Sequence, residues 1–166
     1  MKDNRMEFLK ANYHAHTWRC QHAYDTEREY IEAAISMGIE IFGFSDHVPC
    51  PYQDGYVSNI RMTMKQAPEY VETIRRLEAE YRDQIKIYVG FEAEYVPEFY
   101  EEQMRMFRNL GCDYMIMGQH FLGSEENGPY TGTETEDESR IRRYVDLVIE
   151  GMQTGSYAYL AHPDLM

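Results

Sequence analysis

The sequence contains no run of about 18 or more apolar residues, which leaves no segment suited to a membrane-spanning helix. Basic residues are scarce, 16 lysines and arginines against 29 acidic residues, and the formal net charge is −13. With no basic stripe to neutralise phosphates, DNA, RNA and anionic membrane surfaces are disfavoured partners, although a local cationic centre can still receive a small anion. Cysteine is scarce as well. Cys20, Cys50 and Cys112 are odd in number and lack C-x-x-C spacing, which argues against a disulfide framework and fits a reducing cytoplasm. Residues Met1 to Glu7 lack the apolar core of a secretory signal, so a cytoplasmic location is expected. There is no internal repeat or low-complexity tract. The 166 residues are expected to form a single domain, residues 1–166, large enough to bury a core.

What the sequence does have is histidine in an unusual arrangement. The stretch Tyr13-His14-Ala15-His16-Thr17-Trp18-Arg19-Cys20-Gln21-His22 places three histidines directly after a short apolar run. The segment Phe8 to Tyr13 reads as a strand, and the i,i+2 spacing puts the His14 and His16 imidazoles on one side of an extended backbone. A second apolar segment, Ile39 to Phe44, runs into Ser45-Asp46-His47. A third, Ile85 to Phe91, ends in Glu92-Ala93-Glu94. A fourth, Asp113 to Gly118, leads to Gln119-His120, and a fifth, Tyr157 to Ala161, delivers His162-Pro163-Asp164.

Helical patterns separate these strands. The first opens at Asp25 to Glu29, with Asp25 or Thr26 as its cap, and stops at Gly38; it is expected to bury Tyr30, Ile31 and Ala34, with Met37 as a further candidate. The second spans about Thr63 to Asp83, with Pro68 tolerated in its first turn. The third runs from Glu98 to Leu110 after Pro97 and closes at Gly111. The fourth covers Glu136 to Thr154, capped by Thr133 or Thr135, with Ile141, Tyr144, Val145, Val148 and Ile149 expected on its inner side. Loops rich in turn residues occupy 48–60 and 123–133. Strands alternating with helices at this spacing predict an α/β protein with about five parallel βα units.

All six histidines, His14, His16, His22, His47, His120 and His162, fall outside the predicted helices. Five stand at, or within two residues of, the C-terminal ends of predicted strands, and His22 lies in the first connecting loop. That end of a parallel sheet is where chemistry gathers. Clustered imidazoles suit divalent zinc, iron or manganese. Glu92 is the obvious carboxylate, placed to bridge two ions at the roughly 3.5–4 Å separation of paired-metal hydrolytic sites. Glu94 reads as a supporting or surface residue, and Asp46 as a residue that orients a histidine. Arg19 could contact a phosphate as a fork donor or stand as a solvated surface arginine.

These ordered motifs, His14-Ala15-His16 through His22, Gly43-Phe44-Ser45-Asp46-His47, Gly90-Phe91-Glu92-Ala93-Glu94, Gly118-Gln119-His120 and His162-Pro163-Asp164, resemble the PHP superfamily (polymerase and histidinol phosphatase), most of all its histidinol-phosphatase branch. The resemblance implies a distorted (β/α)7 barrel with up to three metals at the strand C-termini. His14, His16 and Glu92 would hold the first, Glu92, His120 and His162 the second, and His22 with His47 the third. It also implies metal-assisted hydrolysis of a phosphomonoester, L-histidinol phosphate in the histidine-biosynthetic branch, with metal-activated water as nucleophile. Alternatives are another small-molecule or nucleotide phosphoesterase, or a non-catalytic metal-binding remnant. The family pattern continues through two further strands that bring an aspartate to the first metal and a histidine to the third. The chain stops at Met166 before either. An incomplete barrel is therefore expected, as a piece of a longer protein or closed by a second copy in a homodimer.

Overall fold

The computed structural model describes residues 10–52 and 55–166. Strands β1 (Ala11–Asn12), β2 (Ile41–His47), β3 (Lys86–Ala93) and β4 (Tyr114–Met117) form one sheet in the order β1-β2-β3-β4, with every neighbouring pair parallel. A short 3-10 turn at Trp18–Cys20 and helix α1 (Glu27–Ser36) connect β1 to β2. Helices α2 (Ala67–Tyr81) and α3 (Pro97–Leu110) follow β2 and β3, and α4 (Glu138–Gln153) follows β4. Of the predicted first strand, Ala11–Asn12 are in β1, and Phe8 and Leu9 lie outside the described residues.

Local chemistry explains most boundaries. Thr26 caps α1 in a reciprocal box, accepting from the Glu29 backbone N–H while the Glu29 carboxylate accepts from the Thr26 backbone. Pro68 sits in the first turn of α2, where its missing N–H costs nothing. Gly111 ends α3 with φ of 65°, the left-handed geometry that favours glycine. Asp137, rather than Thr133 or Thr135, caps α4 by accepting from the Ser139 N–H. Met37 is exposed just past the end of α1, while Ile31 and Ala34 are buried.

The strands alternate as a pleat requires. Along β3, Ile87, Val89, Phe91 and Ala93 are fully buried, and Phe91 packs against Tyr70 of α2 at 5.3 Å between ring centroids. The intervening Tyr88, Gly90 and Glu92 therefore point to the opposite face, away from the helices. On that concave face the sheet curls. Three strand spacings of about 4.8 Å would set β1 and β4 roughly 14 Å apart if the sheet were flat. Instead the Tyr114 hydroxyl of β4 donates to the Tyr13 carbonyl just beyond β1, at 2.8 Å. The architecture is a curled, incomplete parallel sheet with alternating helices.

Two expectations change. Residues 157–161 do not form a full strand. Leu160 makes a single parallel bridge to Met117, supported by Met117 N–H to Tyr159 O at 3.0 Å and Ala161 N–H to Met117 O at 2.8 Å. His162 then turns into left-handed backbone (φ 34°) and Pro163 has no N–H, so pairing stops. The inner side of α4 is also different. Tyr144, Leu147 and Gly151 are buried, whereas Ile141, Val145 and Ile149 are 42–49% exposed. Gly151 selects this face: a Cβ there would lie 2.7 Å from Tyr95 Cβ and 2.8 Å from Met117 Cε, so only glycine permits so close an approach to β4. Replacing the fully buried Leu147 with alanine should cost about 2–5 kcal/mol of stability. Ile149→Ala should stay within about 0.5 kcal/mol, as surface substitutions do. Equal losses for the two in urea denaturation would contradict this assignment of faces.

Candidate metal centre

Glu92 is paired directly with His47 across the β2–β3 ladder and stands at the end of β3 with 1% of its surface exposed. Five imidazoles, brought by four different segments, surround its carboxylate. Oε2 lies 3.3 Å from His14 Nε2, 3.3 Å from His16 Nε2 and 3.2 Å from His47 Nδ1. Oε1 lies 2.8 Å from His162 Nε2 and 3.5 Å from His120 Nε2. His14 and His16 Nε2 atoms are 3.0 Å apart. The crowding requires a glycine at 118, because a Cβ there would collide with Glu92 Oε1.

The loop carrying His14 and His16 is fixed by Asp46. Its carboxylate accepts from the Thr17 backbone N–H and hydroxyl, and its own N–H donates to the Tyr70 hydroxyl at 3.2 Å. Asp46 Oδ1 is 3.8 Å from His16 Nδ1, beyond a hydrogen bond, so it positions this histidine through Thr17 rather than directly. Glu94 is buried at 2% exposure. It accepts from His120 Nδ1 at 3.0 Å and from the Arg61 guanidinium at 3.0 and 3.1 Å.

The electrostatics are those of a carboxylate buried among imidazoles. Burial alone would raise the Glu92 carboxyl, but the adjacent imidazoles of His14, His16 and His162 and the charge of His47 hold it well below the usual carboxylate range. Burial would lower His16, yet Cys20 and Glu92 push it up to about 10. His47 is driven down by burial and His120 is raised against its burial by Glu94. Three buried atoms, His16 Nδ1, His47 Nδ1 and Glu92 Oε2, have no hydrogen-bond partner. Each such atom costs about 1–3 kcal/mol unless something satisfies it. Imidazole nitrogens and a carboxylate converging with unsatisfied lone pairs are the donor set of a borderline divalent ion.

Four sets of side chains bring their ligand atoms within 4.8 Å of one another: His14, His16 and Glu92; Glu92, His120 and His162; His47, Glu94 and His120; and His16, Cys20 and His22. The first two coincide with the groupings expected for a first and second ion. The rings of the third expected pair, His22 and His47, are 5.2 Å apart; in the three-residue sets His47 groups with Glu94 and His120, and the exposed His22 with His16 and Cys20. Arg19 is engaged with carboxylates of two helices. It is 3% exposed, donates to Glu27, to Glu69 at 2.9–3.1 Å and to Thr17 at 3.2 Å, and stacks on Trp18. Cys20 and Asp46 were visible in the sequence, but Arg61 and Glu125, which brace Glu94, were not. Both sit in turn-rich loops with no periodic signal, and their partners are 33 and 64 residues distant from Arg61.

A curled parallel sheet with imidazoles and carboxylates gathered at its strand C-termini defines a metal-binding α/β domain. The PHP domain family matches residues 12–166, and the chain belongs to it. The probable histidinol-phosphatase of Deinococcus radiodurans is 33% identical over 159 residues, covering 92% of this chain and 59% of that protein. The histidinol-phosphatase of Bacillus subtilis is 32% identical over 125 residues, covering 71% of this chain and 46% of that protein. The chain thus spans 59% or less of these two relatives' lengths. A Lactococcus lactis histidinol phosphate phosphatase, crystallised with zinc, L-histidinol and phosphate, superposes with a TM-score of 0.72 at 23% identity, covering 93% of this chain and 58% of that one.

Because His16 is held near 10, it carries a proton at pH 7.5 and must release it to ligate an ion. Calorimetric zinc titrations at pH 7.5 in buffers of differing ionisation enthalpy should show net proton release. Heats independent of the buffer would contradict the assignment.

Proposed function

We propose that this chain is the metal-binding domain of a phosphomonoesterase of the histidinol-phosphatase type, acting on L-histidinol phosphate. The observation that carries the reading is one buried carboxylate, Glu92, shared by two histidine sets whose ligand atoms lie within 4.8 Å of one another, with its Oε2 unpartnered. His14, His16 and Glu92 would hold one ion, and Glu92, His120 and His162 a second. His22 and His47 would take part in a third, with Cys20 and Glu94 beside them. Zinc, manganese and iron all suit these donors. When bound, such ions supply an activated water and neutralise phosphoryl oxygens as charge builds on them. The protein's own residues do the rest. Glu92 places two histidine sets around one carboxylate, Asp46 fixes the His14–His16 loop through Thr17, and Glu94 orients His120. No serine or cysteine nucleophile is invoked, and with its donors engaged by Glu27 and Glu69, Arg19 serves to join the 3-10 turn to α1 and α2.

The substrate class rests on the family and on the named activity of the relatives; a different small phosphomonoester is the alternative within the same chemistry. The net charge of −13 supports a small-molecule substrate over nucleic acid, and the three free cysteines support a cytoplasmic setting. Among the described residues no helix is long and apolar enough to cross a membrane. One contiguous core supports reading residues 1–166 as a single domain. Coverage of 59% or less of the two relatives favours a second reading, in which the domain binds metal but turns over substrate only with further chain or a partner.

Hydrolysis of L-histidinol phosphate with added zinc, manganese or iron, beside metal analysis, tests the first reading. Glu92→Ala should lose the ions of both sets and all turnover, whereas His14→Ala should lose the ion of its own set and at least about tenfold in rate. Full activity in either variant overturns the site. Metal bound without turnover of any phosphomonoester favours the second reading. Within this second reading we further propose a homodimer in which a second copy closes the open edge of the sheet. Size-exclusion chromatography should then give a dimer; a clean monomer that binds no hydrophobic dye would overturn it.

A further inference from the structure

Outside the ring of histidines lies a second, largely buried polar network centred on Arg61, a residue that the reading above does not use. Arg61 is 2% exposed and comes from the loop that follows β2. Its guanidinium forks onto Glu94, Nη1 to Oε2 at 3.0 Å and Nη2 to Oε1 at 3.1 Å, while Nη1 also donates to the Val48 carbonyl at 3.0 Å. Its remaining nitrogen, Nε, donates to Glu125 Oε2 at 2.7 Å. Glu125 lies on the loop after His120, with its side chain 4% exposed, and it also accepts from the hydroxyls of Tyr52, Tyr56 and Ser58 at 2.9–3.1 Å. Each donor group of Arg61 thus has a specific acceptor, and two loops far apart in sequence meet on one guanidinium.

The inner end of the network reaches the histidines. Glu94 Oε1 stands 3.0 Å from His120 Nδ1, and the other ring nitrogen, Nε2, looks toward Glu92 at 3.5 Å. An ionised carboxylate only accepts hydrogen bonds, so the proton between Glu94 and His120 resides on Nδ1 and the Nε2 lone pair faces the centre. That tautomer is the one able to ligate through Nε2. A carboxylate held by a guanidinium fork has a fixed plane, because both oxygens are engaged in parallel bonds.

Building on the metal-binding reading, we propose that Arg61 is a positioning residue for the metal centre. Acting through Glu94 it sets the ring plane and Nδ1–H tautomer of His120, and through Glu125 it makes that setting depend on contact between the 48–61 and 121–131 loops. Arginine is required rather than any cation, since lysine supplies charge without the fork. Polar partners behind a ligating histidine are typically worth about 10–100-fold in metal affinity.

The test compares the whole chain with its Arg61→Lys, Arg61→Met and Glu125→Gln variants. Zinc affinity is read by competition with a chromophoric chelator, and the His120 tautomer by long-range proton–nitrogen correlation in metal-free protein. Arg61→Met should weaken zinc binding about 10–100-fold and move His120 from the Nδ1–H form toward a mixture, with Arg61→Lys intermediate. Glu125→Gln keeps the Arg61–Glu94 fork and the loop's shape, so it reports even if the Arg61 variants do not fold; it should weaken zinc several-fold and shift the His120 nitrogen resonances. Lower stability with unchanged zinc affinity and an unchanged His120 tautomer would overturn the proposal, leaving Arg61 a purely structural ion pair. So would an Nε2–H tautomer in the unaltered protein. If the unaltered protein bound no zinc, the metal reading would fall, while the tautomer comparison would still decide whether Arg61 governs His120.

Discussion

A carboxylate with 1% exposure at the end of β3 is the constraint from which the rest of this molecule follows. An ionised group cannot be taken from water without compensation, and Glu92 is compensated by imidazoles alone. Those imidazoles come from the segment after β1, the end of β2, the segment after β4 and the residues after the last sheet bridge. For all of them to reach one side chain, the sheet must curl, the residue just past β4 must be glycine (Gly118), and each approach must be fixed from outside. Thr17 on Asp46 and Arg61 on Glu94 provide that fixing. The helices and their caps are the frame that holds the strand ends in register.

The charge distribution shows why a cation belongs there. The chain is strongly acidic, and the centre adds two buried carboxylates within a few ångströms of each other's histidines. His16 and His120 are pushed toward binding protons by the acidic groups beside them, whereas burial pushes His47 toward shedding its own. Buried nitrogens of His16 and His47 without a hydrogen-bond partner add donors that a cation would satisfy.

Much of this was legible in the sequence because it is written in local order. Strand, then histidine or glutamate, then helix is a pattern that survives without knowledge of partners. Gly111, Pro68 and Thr26 took their expected places for reasons confined to a single turn. What stayed hidden depends on distant contacts. The stripe of Ile141, Val145 and Ile149 has helical spacing and reads as an inner face, but the packing of Met117 and Tyr95 over Gly151 chose the neighbouring face instead. Arg19 sits among histidines in sequence, yet its donors belong to Glu27 and Glu69 on two helices. Arg61 carried no signal because its chemistry lies in its partners. The last strand was overestimated because its residues are strand-like, while a left-handed His162 and Pro163 end the pairing at one bridge.

The hydroxyl of Tyr114 bonded to the carbonyl of Tyr13 spans 101 residues of sequence, and the rings of His14 and His162 meet at 5.7 Å across 148. The first strand is thus held on one side by its pairing with β2 and on the other by a side chain of β4. Each such contact closes a long loop, and closing so long a loop is a slow, entropically costly event. The histidine centre is therefore a seal set late in folding rather than a seed, because its members come from segments distant in sequence.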